Sequence, residues 1–271
     1  MDNIMNDVNN TLRLLNIYVI NNIGNYGKLY INTNEPIRDV LSICDFNNKK
    51  VLTVLASSDQ LLAISELNPS TIDTFDINIL TKYYFYLKKW YFLRNHKFIS
   101  YGLNKEEIRD CLICADLSNL DEFTAYYYWI ILFKKITIEE FYNLFYLAYE
   151  KFNIGDIEEV EQFYLNYNLN FKLMNIFNNN EFNDKYDVIV LSNILESLPY
   201  KTRLGYILDN MLLPKGEVIC SNVATISINE NHLYERAQME DLFEYCDGIW
   251  KYDTYLEKDV QVAYKYVKKG Y

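Results

Sequence analysis

Polar side chains able to do chemistry stand directly after apolar runs at four places in the chain. Leu55-Ala56-Ser57-Ser58-Asp59-Gln60 follows Lys50-Val51-Leu52-Thr53-Val54, and Asp76 and Asn78 follow Thr71-Ile72-Asp73-Thr74-Phe75. Asn175 follows a short strand-like stretch over residues 170–174, and Ser192, Asn193 and Glu196 follow Tyr186-Asp187-Val188-Ile189-Val190-Leu191. A carboxylate placed like Asp76 can accept hydrogen bonds from both hydroxyls of a ribose. It can equally cap a helix or sit in a solvated turn. Asn78 has the same two readings, and Asn175 is suited to reading an adenine amino group. The pair Ser192–Asn193 is conspicuous after so apolar a run, although a helix cap would look the same.

The turn over residues 55–60 contains no glycine. Sites for nucleotide-like ligands usually place glycines at such a turn so that backbone can approach the ligand. Residues 56–58 are small enough to allow fairly close approach. An ordinary turn with Ser58 capping a helix that begins at Asp59 fits the spacing equally well. Tyr30, Glu196 and His232 are the candidate bases or orienting groups; His232 sits in a polar stretch over residues 229–234, where a lone His more often has no role. Cys111 and Cys114 form a CxxC, but a zinc site needs four ligands and no second pair exists, so the pair reads as structural and no metal is expected.

The elements that must position these groups alternate in type. Residues 50–55, 71–75 and 186–191 are short, apolar and partly β-branched, as buried parallel strands are. Helices are predicted over 59–67, 79–94 and 202–211. Pro214-Lys215-Gly216 reads as a turn into a strand over 217–221, and a helix is predicted near 239–245. Two alternating segments, 250–256 and 260–267, flank Glu257-Lys258-Asp259 and read as an antiparallel hairpin. The stretch from His96 to about residue 165 reads as wholly helical, with Tyr126-Tyr127-Tyr128-Trp129 as helix core. With 8 Gly and 4 Pro, the chain shows no linker.

Strand–helix units joined by crossovers imply an α/β fold, mostly parallel, with helices on both faces. A terminal antiparallel hairpin on such a sheet is the signature of the Rossmann-like class I methyltransferase fold. The expected organisation is one domain over residues 1–271, with an N-terminal lid segment over 1–48 and a helical insertion at about 97–165. Ligands of open α/β sheets sit outside the carboxyl ends of the strands, where the strand order switches. That is where the polar groups above would converge.

Charge and composition exclude several classes of partner. Lys+Arg number 26 and Asp+Glu 37, a net charge of −11 over 271 residues. So acidic a surface repels phosphate backbones and anionic lipid, so no nucleic acid is expected as a partner. No stretch is long and apolar enough to predict a membrane span. A polar, acidic start without a signal-peptide pattern, and 5 Cys without a paired framework, point to reduced thiols and a cytoplasmic location. The oligomeric state is not legible.

Taken in order, Val51-Leu52-Thr53-Val54, Ser57-x-Asp59-Gln60 and Ile72-Asp73-Thr74-Phe75-Asp76-Ile77-Asn78 resemble the family of S-adenosylmethionine-dependent transferases related to diacylglyceryl 3-amino-3-carboxypropyl transferase. Leu80-Thr81-Lys82-Tyr83-Tyr84, Asn175-Ile176-Phe177, residues 186–194 and the upstream Tyr30…Thr33-x-Glu35 are similar too, so the resemblance spans about residues 26–223. It implies that Asp59, Asp76, Asn78, Asn175 and Asn193 surround S-adenosylmethionine; Ser57, Ser58 and Ser192, by their place after the strands, are expected to bind it too. Two positions depart from the family pattern. Ser58 replaces a glycine, and Leu55 replaces a small residue. A Cβ at position 58 would crowd the methionine carboxylate if the backbone there needs φ > 0.

The function expected is therefore transfer of a methyl or 3-amino-3-carboxypropyl group from S-adenosylmethionine to a small-molecule acceptor. The rival expectation is a catalytically silent, methyltransferase-like domain that binds a ligand or a protein. A nicotinamide oxidoreductase would share the ribose-binding Asp but lacks the required G-x-G-x-x-G turn.

Overall fold

The structure is a computed structural model that describes residues 2–15, 27–33, 35–146, 156–176, 184–192, 194, 204–221, 239–253 and 258–270. In chain order the elements are α1 (Asp2–Leu15), β1 (Leu29–Tyr30), α2 (Ile37–Leu41), β2 (Lys50–Val54), α3 (Asp59–Ser65), β3 (Thr71–Asp76) and α4 (Ile79–Asn95). Then come α5 (Lys105–Arg109), a 3-10 turn at Asp110–Cys114, α6 (Leu120–Lys135), α7 (Ile138–Tyr142), β4 (Phe145–Tyr146) and α8 (Ile157–Asn166). The last are β5 (Phe171–Leu173), β6 (Tyr186–Ser192), α9 (Leu204–Met211), β7 (Leu212–Ser221), β8 (Phe243–Asp253) and β9 (Lys258–Lys268). The chain folds into two compact units. The first comprises Met1–Thr33, Leu55–Asp59 and Asp76–Leu173; the second comprises Asn34–Val54, Gln60–Phe75 and Met174–Tyr271.

The second unit carries the sheet strands in the order β3-β2-β6-β7-β9-β8. From β3 to β7 the pairing is parallel, and β9 runs antiparallel to both β7 and β8. The chain enters at β2 and grows outwards on either side, so the strand order switches between β2 and β6. This is the Rossmann-like methyltransferase arrangement expected from the strand pattern, terminal hairpin included. The three strands read as buried and parallel lie side by side: Val51 pairs with Ile72 on one side and with Val188 on the other. Val51, Leu52, Ile189 and Val190 are completely buried. The polar groups among them are satisfied locally. Thr53 Oγ1 accepts from Gln60 Nε2 at 2.6 Å, and Tyr186 O–H donates to Asp73 Oδ2 at 2.7 Å.

Two details of this unit differ from the sequence reading. Pro214-Lys215-Gly216 does not precede a strand; it bulges within one. β7 pairs Leu212 with Tyr186 and then Glu217 with Val188, five residues against two. Lys215 takes a left-handed φ of 63°, and a Cβ on Gly216 would come within 2.9 Å of Leu212 and 3.0 Å of the Leu213 carbonyl. The helix predicted near 239–245 does not continue past Met239: a turn follows, and β8 begins at Phe243 and pairs with Lys268 there. Met239, Leu242 and Phe243 have helical spacing, yet Phe243 is buried and Glu244 exposed, an alternation that β9 completes by pairing with Phe243–Cys246.

The first unit is built around α4. Its 17 residues bury Leu80, Tyr84, Leu87, Trp90 and Phe92 on more than one side, as its all-round apolar sequence requires. In α6, Tyr128 and Trp129 are fully buried core and Tyr126 and Tyr127 are half-buried. Trp129 Nε1 donates to the Tyr83 carbonyl at 2.8 Å, and Trp90 Nε1 to Glu122 Oε2 at 2.7 Å. α1 docks through Tyr83 O–H on Asp7 Oδ2 at 2.7 Å and a Thr11–Tyr128 hydroxyl pair at 2.8 Å. The stretch read as wholly helical contains a strand. Phe145–Tyr146 pairs parallel with Leu29–Tyr30, where the chain supplies main-chain partners that a helix would have kept to itself. Among the described residues no helix is long and apolar enough to cross a membrane.

Candidate functional site

The loop Leu55–Asp59 leaves the carboxyl end of β2 in an unusual conformation. Ala56 has φ 42° and Ser58 has φ 69°, both in the left-handed region that favours glycine. The condition under which the serine at position 58 would be strained is therefore met. Ser58 N–H closes the turn onto the Leu55 carbonyl at 2.6 Å, and Ser58 Oγ donates to the Ser57 carbonyl, so its side chain does not cap α3.

Asp59 is 2% exposed and its carboxylate is engaged by the protein. Oδ2 accepts from the Thr33 N–H at 2.6 Å and from Ser57 Oγ at 2.9 Å, and Oδ1 accepts from Lys88 Nζ at 2.5 Å. Lys88, in the middle of α4, is completely buried. Its ammonium also donates to the Ser57 carbonyl at 2.9 Å and lies near Asn32 Oδ1 at 3.4 Å and the Tyr84 and Phe98 rings. Burial lowers the Lys88 pKa and the Asp59 charge opposes that shift. Nothing in the spacing around Leu87-Lys88-Lys89-Trp90 singled out Lys88; a charged residue on an otherwise all-apolar helix face is the signal that could have done so.

Asp76 closes β3 and faces the same loop. Ala56 N–H donates to its Oδ2 at 3.2 Å and Asn78 N–H to its Oδ1 at 2.9 Å. Burial pushes its pKa up to about 6, with the N–H groups of Asn78, Ala56 and Ile77 pulling the other way. A carboxylate has about four lone-pair sites, so the N–H groups around it do not exhaust its acceptor capacity. Asn78 is the N-cap of α4: Oδ1 accepts from Leu80 N–H at 3.0 Å while Nδ2 donates to the Gly27 carbonyl at 2.9 Å. Of its two readings, the cap is realised. The first unit thus brings Ser57, Ser58, Asp59, Asp76 and Asn78 together around one turn.

The second unit has polar residues of its own at the end of β6. Ser192 ends β6 with φ 55°, and its Oγ donates to Glu35 Oε1, both side chains buried. Asn175 is exposed. Tyr30, a candidate base, lies in the first unit, its ring packed on Tyr146 at 5.3 Å between centroids. Asn193, Glu196 and His232 lie outside the described residues. Cys111 and Cys114 fall on the 3-10 turn as free thiols, and among the described residues no group of three or more His, Cys, Asp or Glu could hold a metal ion. A cavity of about 320 Å³ adjoins α2 and the end of α3, lined by Leu41, Phe46, Ala63, Leu67, Cys44 and the Arg38–Glu66 ion pair. Its residues precede β2 and β3 in the chain, so it belongs to the other end of those strands.

No family model and no curated protein sequence matches the chain. Among solved structures it is similar to a ribosomal protein L11 methylase from Lactobacillus delbrueckii subsp. bulgaricus, over 86% of this chain and 76% of that one, with 13% identity and a TM-score of 0.42. It is similar to the N-methyltransferase NodS from Bradyrhizobium japonicum WM9 in complex with S-adenosyl-L-homocysteine, over 97% and 98%, with 8% identity and a TM-score of 0.43. A methyltransferase from Pyrococcus furiosus aligns over 99% and 100%, with 11% identity and a TM-score of 0.43. At such identities the likeness concerns the fold alone.

Proposed function

We propose that the chain is an S-adenosylmethionine-dependent transferase acting on a small-molecule acceptor. The observation that carries this reading is the Asp76 carboxylate at the end of β3. It is oriented by the backbone N–H groups of Ala56 and Asn78, with Ile77 also acting on it, and keeps acceptor capacity for ribose hydroxyls. Ser57 and Ser58 line the turn beside it, and the motif resemblance around residues 51–78 supports the same ligand.

The sulfonium makes its attached carbons electrophilic; a nucleophile forms the new bond as the carbon–sulfur pair of electrons returns to sulfur as a neutral thioether. The chain has to bind the nucleoside, orient the acceptor and accept a proton where the nucleophile carries one. Asp76 suits the first task. Asp59 fits a role in supporting the loop better than contact with the methionine amino group, because both of its oxygens have protein partners. Whether the methyl or the 3-amino-3-carboxypropyl carbon is attacked decides the product left behind: S-adenosylhomocysteine or methylthioadenosine. The family resemblance favours aminocarboxypropyl transfer.

A second reading, a silent domain that binds a ligand or partner without transfer, is favoured by Ser58. Its side chain stands on left-handed backbone where the resembling family has glycine. Calorimetry with S-adenosylmethionine, S-adenosylhomocysteine and methylthioadenosine separates the two. Binding is expected, and a folded wild type that binds none of them sinks the transferase reading. Mass spectrometry after incubation with a cell extract then identifies the product, and S-adenosylhomocysteine without methylthioadenosine overturns aminocarboxypropyl transfer.

A further inference from the structure

The glycine-free turn poses a physical problem: Ala56 and Ser58, on either side of Ser57, both hold left-handed backbone without being glycine, which is strained unless the surroundings impose it. The surroundings here are a buried cation. Lys88 Nζ reaches the loop at two points, the Ser57 carbonyl at 2.9 Å and Asp59 Oδ1 at 2.5 Å. Asp59 in turn fixes Ser57 Oγ and the Thr33 N–H. Residues on either side of Ser58 are thereby pinned, and Ala56, one residue before Ser57, directs its N–H at Asp76.

We propose that Lys88 is a positioning residue for the ligand site, setting the loop Leu55–Asp59 and, through the Ala56 N–H, the orientation of the Asp76 carboxylate. A wholly buried ammonium is stable only when its donors are matched, and its acceptors here are a carboxylate, a carbonyl and an amide oxygen. These protein acceptors take up its three protons, so it acts through the loop. Tyr84 and Tyr164 are the other titratable groups facing this pair, and burial together with the Asp59 charge pushes both well above the ordinary tyrosine range, so they stay neutral. The inference deepens the transferase reading where Asp76 meets the nucleoside, but its first readout needs no ligand.

The test is a carboxyl-carbon NMR titration of Asp76 in the wild type and in Lys88→Met, with the backbone spectrum as the check on folding. The wild type titrates near the value of about 6 set by burial against three N–H groups. In Lys88→Met the loop loses its anchor and the Ala56 bond with it, so the midpoint moves upward, and S-adenosylmethionine affinity by calorimetry falls about tenfold or more. A folded Lys88→Met with an unmoved midpoint overturns the proposal, whatever the wild type binds. A moved midpoint in a protein that does not bind S-adenosylmethionine keeps Lys88 in its role and removes the transferase reading instead. Should Lys88→Met not fold, Asp59→Asn removes the charge opposite Lys88 while keeping the shape. The same upward movement is expected there, and its absence is equally fatal.

Discussion

The Ala56 N–H and Asp76 Oδ2 stand 3.2 Å apart, so the turn after β2 and the last residue of β3 share one hydrogen bond. A side chain at position 76 therefore affects the ligand and the loop together. Asp76→Ala is expected to lose about 1.5–3 kcal/mol of S-adenosylmethionine binding, the range for hydrogen bonds to a charged group. Calorimetry reads this directly, and unchanged affinity would place the nucleoside elsewhere.

The pH dependence of the same residue has a definite sign. The folded protein raises the Asp76 pKa from 3.8 to about 6, so folding favours the neutral acid. Its contribution to stability is fully present below about 4 and is lost as pH rises through about 6. Ligand binding runs the opposite way, because the ionised carboxylate accepts both hydroxyls: affinity should rise between pH 5 and pH 7. Urea midpoints and calorimetry across that interval, in wild type and Asp76→Ala, should show both slopes in the former and neither in the latter.

Ser58→Gly tests the strained turn. Glycine adopts φ 69° freely, so the substitution should stabilise the fold by about 1 kcal/mol, less whatever the Ser58 Oγ bond to the Ser57 carbonyl contributes. A urea midpoint lower than that of the wild type would show that the serine is there for its hydroxyl.

These sites were legible to different degrees. Asp76, Asn78 and the glycine-free turn stood out because local spacing puts them after buried strands, and the three buried parallel strands followed from the same runs. The ambiguity at Asn78 was local too; only the bonds to Leu80 and Gly27 decide for the cap. Lys88 was invisible because its partners Ser57 and Asp59 are 31 and 29 residues away. Glu35 entered only within a resemblance motif, and its partner Ser192 lies 157 residues on. Only the start of β8, Phe243–Tyr245, departs from the sequence reading, for the same reason: the helical spacing of Met239, Leu242 and Phe243 is a local signal, and the pairing with β9 that overrides it is not.

Glu122 offers a stability test away from the site. It is 3% exposed and receives Lys89 at 2.7 Å, the Trp90 indole N–H at 2.7 Å and the Asp116 N–H at 2.9 Å. Glu122→Ala leaves a largely buried ammonium and a buried indole N–H without this acceptor, and a cost of about 3 kcal/mol is expected from chemical denaturation.

Thiol labelling tests the reading of the CxxC. Burial pushes the Cys111 thiol far up, and the rise at Cys114 has the same cause but is opposed by Arg94. Iodoacetamide near pH 8 should label Cys114 well before Cys111, as followed by peptide mass spectrometry. Equal rates would mean that the turn at Asp110–Cys114 opens readily.

The seat of α1 has a consequence for how the chain is made. Its anchors Asp7 and Thr11 bond Tyr83 and Tyr128, which lie 76 and 117 residues further along. On a ribosome adding about 5–20 residues per second, Thr11 leaves the tunnel roughly 6–23 seconds before Tyr128 does. During that interval the apolar side of α1, with Val8 and Leu14, lacks the α6 part of its native surface. α1 cannot complete its seat until α6 has been made, so the interval exposes this helix to a chaperone or to another nascent chain.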